Sequence, residues 1–396
     1  MRNPFIVGRE IKYGETFCDR DEEISGLIAR AKSSESVCLI GLRRFGKSSL
    51  VNQVIGKLED EDWIGIKVDL MGVTSVEEFC INIEREIYKV RKSFKHRVEQ
   101  LARSYKPKLS FGVDPISGLP SLDLALSSQT SARDELLLEK TLNICMELPE
   151  KTKRPFLLVF DEFQEIRRFS KDGKVEGIIR KIFQKREYDF VPFYLGSKRN
   201  MLRLMFQKES EPFFRSASIR ELAEIPRDAY TEFVTDQTIK TLGISPDQDF
   251  LEKVWQIFRG HPYALLKTAN RFWFSCIQDE NLNQQTTWPE IVTSIILEER
   301  YFYEALNRNI PPYVLKTLTA IAKNEPVKNP YQENFLKSVS ETSSRLQKAL
   351  NLLLKEDKVE KTEKGYSVVD PMEKVWALTV RTGQEELLDS IEEVLF

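Results

Sequence analysis

The sequence predicts an α/β protein with a parallel sheet covered by helices on both faces, followed by an all-α region and a small helical module that contains a β-ribbon. Three observations support this fold class. Short apolar runs typical of buried strands alternate with helical segments over residues 1–225. A glycine-rich loop joins the first strand to a helix. From about residue 227 the pattern is helical until a ribbon that begins near residue 358.

The predicted core strands are short apolar runs. They cover 36–40, 64–70, 155–160, 190–196 and, more weakly, 218–225. Between the second and third strands, residues 85–130 form a predicted insertion, in which a basic helical stretch is followed by a hairpin. Because ligands of open α/β sheets bind at the carboxyl ends of the strands, functional residues are expected there.

Composition excludes several classes of protein. The 396 residues include 59 Lys and Arg against 61 Asp and Glu, a net charge of −2, which excludes an indiscriminate polycation. Hydrophobic residues make up 41% of the chain, as in folded globular proteins. There is no run of 18 apolar residues and no apolar segment after the basic N-terminus, so we expect no membrane partner and no secretory signal.

Cysteine and histidine narrow the chemistry further. The cysteines form no CxxC pair, which predicts buried thiols and a reducing, cytoplasmic compartment. They are Cys18, Cys38, Cys80, Cys145 and Cys276. His96 and His261 are too few for a multi-histidine metal centre, and neither has an obvious catalytic setting. Acidic and basic side chains and backbone amides are therefore expected to perform the chemistry.

The glycine-rich loop, residues 41–48, matches the phosphate-binding pattern GxxxxGK[ST] in full, between a predicted strand and a predicted helix. Such a loop surrounds phosphates with backbone N–H groups at the positive end of a helix. We predict that Lys47 contacts the β- and γ-phosphates of ATP and that Ser48 binds Mg²⁺. The predicted nucleotide-binding residues here are Gly41, Arg43, Arg44, Phe45, Gly46, Lys47, Ser48 and Ser49.

Two carboxylates follow the strongest predicted strand. Asp161 and Glu162 come directly after the apolar run 155–160. Alone, an acidic pair after a strand is more often a helix cap. Together with a phosphate loop, the pair predicts that Asp161 helps to bind Mg²⁺ and that Glu162 polarises the attacking water, as an ATPase requires.

Two further polar residues are candidates for catalysis. Ser197 ends the next predicted strand, where it would contact the γ-phosphate; the alternative is a helix N-cap. Arg215 precedes the strand at 218–225 and could neutralise transition-state charge, in its own chain or in a neighbouring subunit. The alternative for Arg215 is a surface salt bridge.

In combination, these motifs resemble the archaeal-type ATPase family, in the STAND branch of the AAA+-like P-loop ATPases. The resemblance extends over nearly the whole chain. It rests on the Arg-Arg pair of the phosphate loop, on the run Asp-Glu-Phe-Gln-Glu at 161–165, on Gly-Ser at 196–197 and on Arg215 before the last core strand. The resemblance implies a P-loop ATPase core, a helical lid and a C-terminal winged helix.

The same resemblance adds two residues to the predicted site. The opening segment that ends near Arg20 is similar to the family's entry motif, which implies contacts on the adenine side, although Asp19 replaces the usual glycine. Gly-His-Pro-Tyr at 260–263 is similar to the family's lid motif, whose proline lies near the base. Pro262 is therefore expected in the nucleotide site.

The C-terminal module has the pattern of a winged helix. Residues 311–381 predict three helices, a β-ribbon and a last helix, with twelve Lys and Arg against nine Asp and Glu, an excess of +3. Such a module can insert a helix into a DNA major groove, and Arg345, Gln347 and Lys348 would lie on its polar face. It can equally pack against the ATPase core and regulate it.

The predicted insertion is a second candidate for DNA contact. Residues 85–108 contain nine Lys and Arg against two Glu, an excess of +7, with aromatic residues among the cations. This composition suits contacts to phosphates and stacked bases. It also suits a solvated helix with an aromatic core face.

The sequence thus predicts three domains: an ATPase core over 1–225, a helical lid over 226–308, and a winged helix with a C-terminal helix over 309–396. The predicted function is an ATP-binding and ATP-hydrolysing switch that uses Mg²⁺ and couples the nucleotide to homo-oligomerisation or a protein partner, in signalling or defence. The alternative is a DNA-associated ATPase of the initiator or transposition-helper kind.

Overall fold

A computed structural model shows the fold of the chain. It describes residues 2–93, 111–113, 120–122, 130–186, 189–278 and 288–380, and the single residues 391 and 395. Of the sequence predictions, the basic stretch beyond residue 93 and the C-terminal helix beyond residue 380, except for residues 391 and 395, lie outside the described residues. Within the described ranges, no helix has the length and apolarity needed to cross a membrane.

A five-stranded parallel sheet forms the N-terminal part and confirms the predicted fold class. Its strands are Val37–Ile40 (β1), Ile64–Asp69 (β2), Phe156–Asp161 (β5), Phe190–Gly196 (β6) and Ser218–Glu221 (β7), in the spatial order β2-β5-β6-β1-β7. The predicted hairpin is also present, as Phe111–Val113 (β3) paired antiparallel with Pro120–Leu122 (β4).

Alternating side chains of the interior strand β5 pack on both faces of the sheet. Leu158 and Phe160 belong to one hydrophobic cluster, and Leu157 and Val159 to another. The helices of this part are Asp21–Lys32 (α1), Lys47–Asp60 (α2), Val76–Ser93 (α3), Thr130–Thr152 (α4), Lys174–Phe183 (α5) and Arg199–Gln207 (α6). Because both faces are covered, every residue of β1, β5 and β6 is buried.

Eight helices and a ribbon follow among the described residues. The first four helices are Arg227–Leu242 (α7), Gln248–Phe258 (α8), Pro262–Gln278 (α9) and Trp288–Asn307 (α10). The winged helix contains Pro312–Asn324 (α11), Glu333–Val339 (α12), Ser343–Lys355 (α13), the ribbon Val359–Thr362 (β8) and Gly365–Val368 (β9), and Pro371–Thr379 (α14). One hydrophobic cluster includes residues of helices α7–α10, residues of the winged helix, and Phe5. Helices α7–α10 and the winged helix therefore share a core.

The five cysteines are buried free thiols, as predicted. Burial raises the pKa of Cys18 and of Cys80 to about 12. Because the thiolate is the reactive form, these two side chains behave as apolar residues at neutral pH.

Candidate nucleotide site

The phosphate loop connects β1 to α2 at the carboxyl edge of the sheet. Arg44 (φ 61°) and Gly46 (φ 86°) have left-handed backbone conformations, which let the loop reverse direction before the helix. Within the described loop and helix, no side chain caps the N-terminus of α2, and its first turn contains no acidic residue. The first amides of α2 therefore remain available to a phosphate.

Lys47 lies at the start of α2 and is buried. Its Nζ donates hydrogen bonds to the carbonyl oxygens of Gly41 (3.0 Å) and Leu42 (2.8 Å). Burial lowers the pKa of Lys47, although the carboxylates of Glu162 and Asp161 oppose this shift. The loop thus holds the ammonium group beside Asp161, the predicted Mg²⁺ ligand, and Glu162, the predicted base.

Ser48 and Asp161, the two predicted Mg²⁺ ligands, lie next to each other at the sheet edge. The Ser48 hydroxyl donates to Asp161 Oδ2 at 2.5 Å. Burial raises the pKa of Asp161, and the Ser48 hydrogen bond opposes that rise. A hydroxyl and one carboxylate are the oxygen ligands that suit Mg²⁺, which takes its remaining ligands from phosphates and water. Among the described residues, no group of three or more His, Cys, Asp or Glu side chains is arranged so that it could hold a metal ion.

Glu162 follows Asp161 with a left-handed backbone (φ 52°). Its Oε2 accepts hydrogen bonds from the Ser197 hydroxyl (2.7 Å), from the Ser197 backbone N–H (3.2 Å) and from Gln164 Nε2. The structure therefore brings Glu162 and Ser197 together. The Gln164 contact was not predicted, although Gln164 belongs to the Asp-Glu-Phe-Gln run that carried the family resemblance.

A cavity of about 320 Å³ lies beside the loop. Its lining includes residues 6–11, residues 44–49, Arg20, Glu162 and Pro262, so the two residues assigned by resemblance do reach this site. Arg20 is buried, with a salt bridge to Glu23 at 2.6 Å and a hydrogen bond to the carbonyl of Ala223 at 2.5 Å. The N-terminal segment is attached to α2, because the Ile11 N–H donates to Ser49 Oγ at 3.1 Å.

Arg44 of the phosphate loop contacts side chains of α9 and α10. Its guanidinium lies 4.5 Å from the ring centre of Tyr263 and 4.3 Å from that of Phe302, and it forms a 2.9 Å ion pair with Glu299. Glu299 also accepts from Tyr263 (2.6 Å) and Lys267 (2.5 Å). Although burial favours the neutral acid, these hydrogen bonds lower the pKa of Glu299.

The neighbours of Arg44 make similar contacts. The guanidinium of Arg43 lies 5.9 Å from the ring centre of Phe302, and Phe45 meets the buried His261 edge-on at 5.2 Å. Sequence reasoning did not find these partners, because they lie more than 200 residues away. Three successive loop residues therefore touch the helical part of the chain.

Arg215 is not brought to this site in its own chain. It is exposed and precedes β7, whose Ser218 aligns with Val37 and whose Glu221 aligns with Ile40 of β1. The phosphate loop follows Ile40, so Arg215 lies at the opposite edge of the sheet, on the order of 10 Å or more away. Its guanidinium lies 5.0 Å from the ring centre of Phe214.

The parallel sheet, the phosphate loop and the acidic pair define a P-loop ATPase domain. The chain belongs to the family described as "ATPase domain predominantly from Archaea", whose model matches residues 17–268. A second model, described as "Probable winged helix domain", matches residues 301–379. No curated protein matches the chain.

Solved structures with the same fold include two archaeal proteins. The Walker-type ATPase PABY2304 of Pyrococcus abyssi superposes with a TM-score of 0.63 at 19% identity, over 94% of this chain and 99% of that one. The Aeropyrum pernix ORC2 protein, in ADPNP–ADP complexes, superposes with a TM-score of 0.56 at 12% identity, over 100% of this chain and 97% of that one. At these identities the likeness shows the fold.

Proposed function

We propose that the protein is an ATP-hydrolysing switch in which the nucleotide changes the contact between the phosphate loop and the helical C-terminal half. The observation that supports this proposal most directly is the position of α10. Glu299 of this helix binds Arg44 of the loop, and Tyr303, one turn further, donates to Asp370 Oδ2 of the winged helix at 2.8 Å. One helix thus contacts both the loop and the winged helix.

The loop and its surroundings provide the parts of a Mg-ATP site. The backbone amides of the loop, with Lys47, would bind the phosphates, and the cavity with Arg20 and Pro262 in its lining would hold the base. Ser48 and Asp161 would hold Mg²⁺, which neutralises phosphate charge when bound. The ADPNP–ADP complexes of the Aeropyrum pernix protein support nucleotide binding by this fold.

Glu162 would act as the base in ATP hydrolysis. The water oxygen forms a bond to the γ-phosphorus while the bond to the β–γ bridging oxygen breaks and its electron pair leaves with ADP. The proton released by the water passes to the Glu162 carboxylate. Ser197, whose hydroxyl donates to this carboxylate, would contact the γ-phosphate.

The switch proposal assigns mechanical roles to the predicted domains. The core (1–225) would bind ATP, and the lid (226–308) would carry the change from Arg44 to the winged helix (309–396). Asn307 adds a second link at the end of α10, because its side chain donates to Glu373 of α14 at 2.9 Å. The output would be homo-oligomerisation or binding of a protein partner, in signalling or defence. The five buried thiols favour a cytoplasmic location.

Homo-oligomerisation would also explain the position of Arg215. An exposed arginine at the sheet edge opposite its own phosphate loop can neutralise transition-state charge only from a neighbouring subunit. We therefore assign Arg215 to the site of the next copy rather than to its own.

The experiment that tests the switch is a comparison of the wild-type chain with Glu162→Gln. The variant keeps the shape of the side chain and loses the base, so ATP turnover should fall at least about 100-fold while ATP binding persists. Light scattering after size exclusion, with ATP and with ADP, should show an ATP-dependent assembly that accumulates in the variant. Equal turnover in both chains would contradict the catalytic role, and identical profiles with ATP and ADP would contradict the switch.

A second function, DNA binding by the winged helix, is favoured by one observation. The side chains of Arg345, Gln347 and Lys348 on α13 are exposed, as are Lys361 and Lys364 of the ribbon. A helix with exposed polar residues beside a ribbon that carries exposed lysines suits a major groove and its phosphates. Duplex-stimulated ATP turnover would separate this function from a switch that acts only on proteins.

A further inference from the structure

The Glu162 carboxylate is bound through one of its two oxygens. Oε2 accepts from three donors, which are the hydroxyl and backbone N–H of Ser197 and the side-chain amide of Gln164. Hydrogen bonds to a carboxylate are charge-assisted and fix its orientation. The carboxylate of the proposed base is therefore held by the side chains of Ser197 and Gln164 and by the backbone N–H of Ser197.

The Gln164 side chain is held tightly in place. It is 3% exposed, and it packs against Gly196 on the neighbouring strand β6. A Cβ at Gly196 would lie 2.1 Å from Gln164 Oε1 and 2.5 Å from Leu202 Cδ1, so only glycine leaves room for the amide. An amide oxygen facing Glu162 would be repelled, which fixes the nitrogen toward the carboxylate. Burial and the close approach to Gly196 therefore hold the Gln164 amide beside Glu162.

The Ser197 hydroxyl has a single hydrogen to donate. In this structure Glu162 accepts it. A γ-phosphate oxygen is a competing acceptor of higher charge, and the hydroxyl cannot donate to both at once. The hydrogen bond from Gln164 and the bond from the Ser197 N–H are independent of that hydroxyl.

We infer that Gln164 is a positioning residue for hydrolysis, which keeps Glu162 in place when the Ser197 hydroxyl leaves the carboxylate to bind the γ-phosphate. The inference rests on the proposed function, because it requires Glu162 to act as the base. Ser197 then distinguishes ATP from ADP by binding the γ-phosphate. Gln164 keeps the Glu162 carboxylate in position while the Ser197 hydroxyl moves from that carboxylate to the phosphate.

The first test is a double-mutant cycle on ATP turnover. Gln164→Met keeps the length of the side chain and removes the amide, so we expect kcat to fall about 10- to 100-fold with little change in the Kd for ATP. If Gln164 acts through Glu162, adding Gln164→Met to Glu162→Gln causes no further loss. Gln53→Met, at another buried glutamine, controls for loss of a buried amide. Thermal unfolding of each variant checks the fold.

The second test measures nucleotide affinity rather than turnover. Removing the carboxylate with Glu162→Ala frees the Ser197 hydroxyl, so affinity for a non-hydrolysable ATP analogue should rise about fivefold while affinity for ADP stays unchanged. Ser197→Ala should abolish this gain, and Ser197→Thr, which keeps a hydroxyl, should restore it. A fluorescent analogue provides the readout.

The outcomes separate the inference from the function on which it rests. Wild-type turnover that Glu162→Gln abolishes and Gln164→Met leaves intact would overturn the inference and keep the ATPase. Additive losses in the double mutant would also overturn it. Turnover no higher in the wild type than in Glu162→Gln would overturn the ATPase and the inference together.

Discussion

The buried carboxylate of Asp161 shows how a residue proposed to bind Mg²⁺ can reduce the stability of the fold. Burial raises its pKa, so the folded chain binds this proton more tightly than the unfolded chain does. The free energy of unfolding therefore falls as pH rises through the window from the ordinary Asp value, about 4, up to the raised value. At neutral pH the ionised group destabilises the fold, and a metal ion bound there would offset that effect.

Asp161→Asn should consequently raise the melting temperature at pH 7 without nucleotide, on the order of 2 °C, because the buried charge is removed. The difference should shrink as pH falls toward about 4, where both chains are neutral at this position. The variant should also lose stabilisation by Mg-ATP. Differential scanning fluorimetry measures all three effects, with Asp236→Asn, an exposed carboxylate on α7, as the control. A lower melting temperature at pH 7 would contradict the argument.

At the residue scale, sequence reasoning found the groups that are neighbours in a motif. Lys47, Ser48, Asp161 and Glu162 were predicted because their spacing and their position after strands are enough to bring them to one sheet edge. The ion pair of Arg44 with Glu299 joins residues 255 apart in the chain. A single sequence contains no local signal for such a contact, so the partner could be found only in the folded structure.

Helix α10 is the element on which the proposed coupling depends, and a substitution at Tyr303 tests that role. This side chain is buried, and its hydroxyl binds Asp370, which also accepts the Met372 N–H at the start of α14. Tyr303→Phe leaves that acceptor partly unsatisfied, which costs about 1 kcal/mol and lowers the melting temperature of a chain of this length by about 1 °C. ATP affinity should be unchanged, while the ATP-dependent change in assembly should weaken.

The matched control for this prediction lies two residues earlier on the same helix. Tyr301 is 78% exposed, so Tyr301→Phe should leave both stability and assembly as they are in the wild type. Calorimetry and light scattering on the two variants provide the comparison. Equal stability and equal ATP-dependent assembly of Tyr303→Phe and Tyr301→Phe would show that the contact between Tyr303 and Asp370 plays no part in the coupling.

At the element scale, the predicted strands were found because hydrophobic runs bounded by glycine or charge are a local signal. The last strand, β7, is shorter than the sequence predicts. The sequence predicted 218–225, and the structure has Ser218–Glu221. Half-buried edge positions weaken the apolar pattern, and pairing with β1 ends at Ile40, where the phosphate loop begins. The partner strand, rather than the strand's own residues, therefore sets its length.

At the scale of the whole molecule, a basic surface on the winged helix predicts a salt-dependent contact with DNA. Lys348 is exposed on α13, so Lys348→Ala should weaken duplex binding and reduce the slope of log affinity against log salt by about 1. Lys240→Ala, on the exposed side of α7, is the control and should leave the slope unchanged. Fluorescence anisotropy at several salt concentrations measures the slope for each variant. Equal slopes for Lys348→Ala and Lys240→Ala would show that α13 is not part of the DNA contact.

The position of Arg215 makes a further prediction that depends on the assembled molecule. Lys47→Ala removes nucleotide binding and keeps Arg215, whereas Arg215→Ala keeps the phosphate loop, so each variant alone should lack turnover. In an equal mixture, a site is complete when its loop comes from one variant and its arginine from the other. Random exchange of subunits then restores about a quarter of the sites, whatever the size of the ring.

The control for this prediction is Arg220→Ala, which replaces an exposed arginine on β7 and should stay active alone. No recovery in the mixture would place the action of Arg215 outside a neighbouring site, and full activity of Arg215→Ala alone would remove it from catalysis.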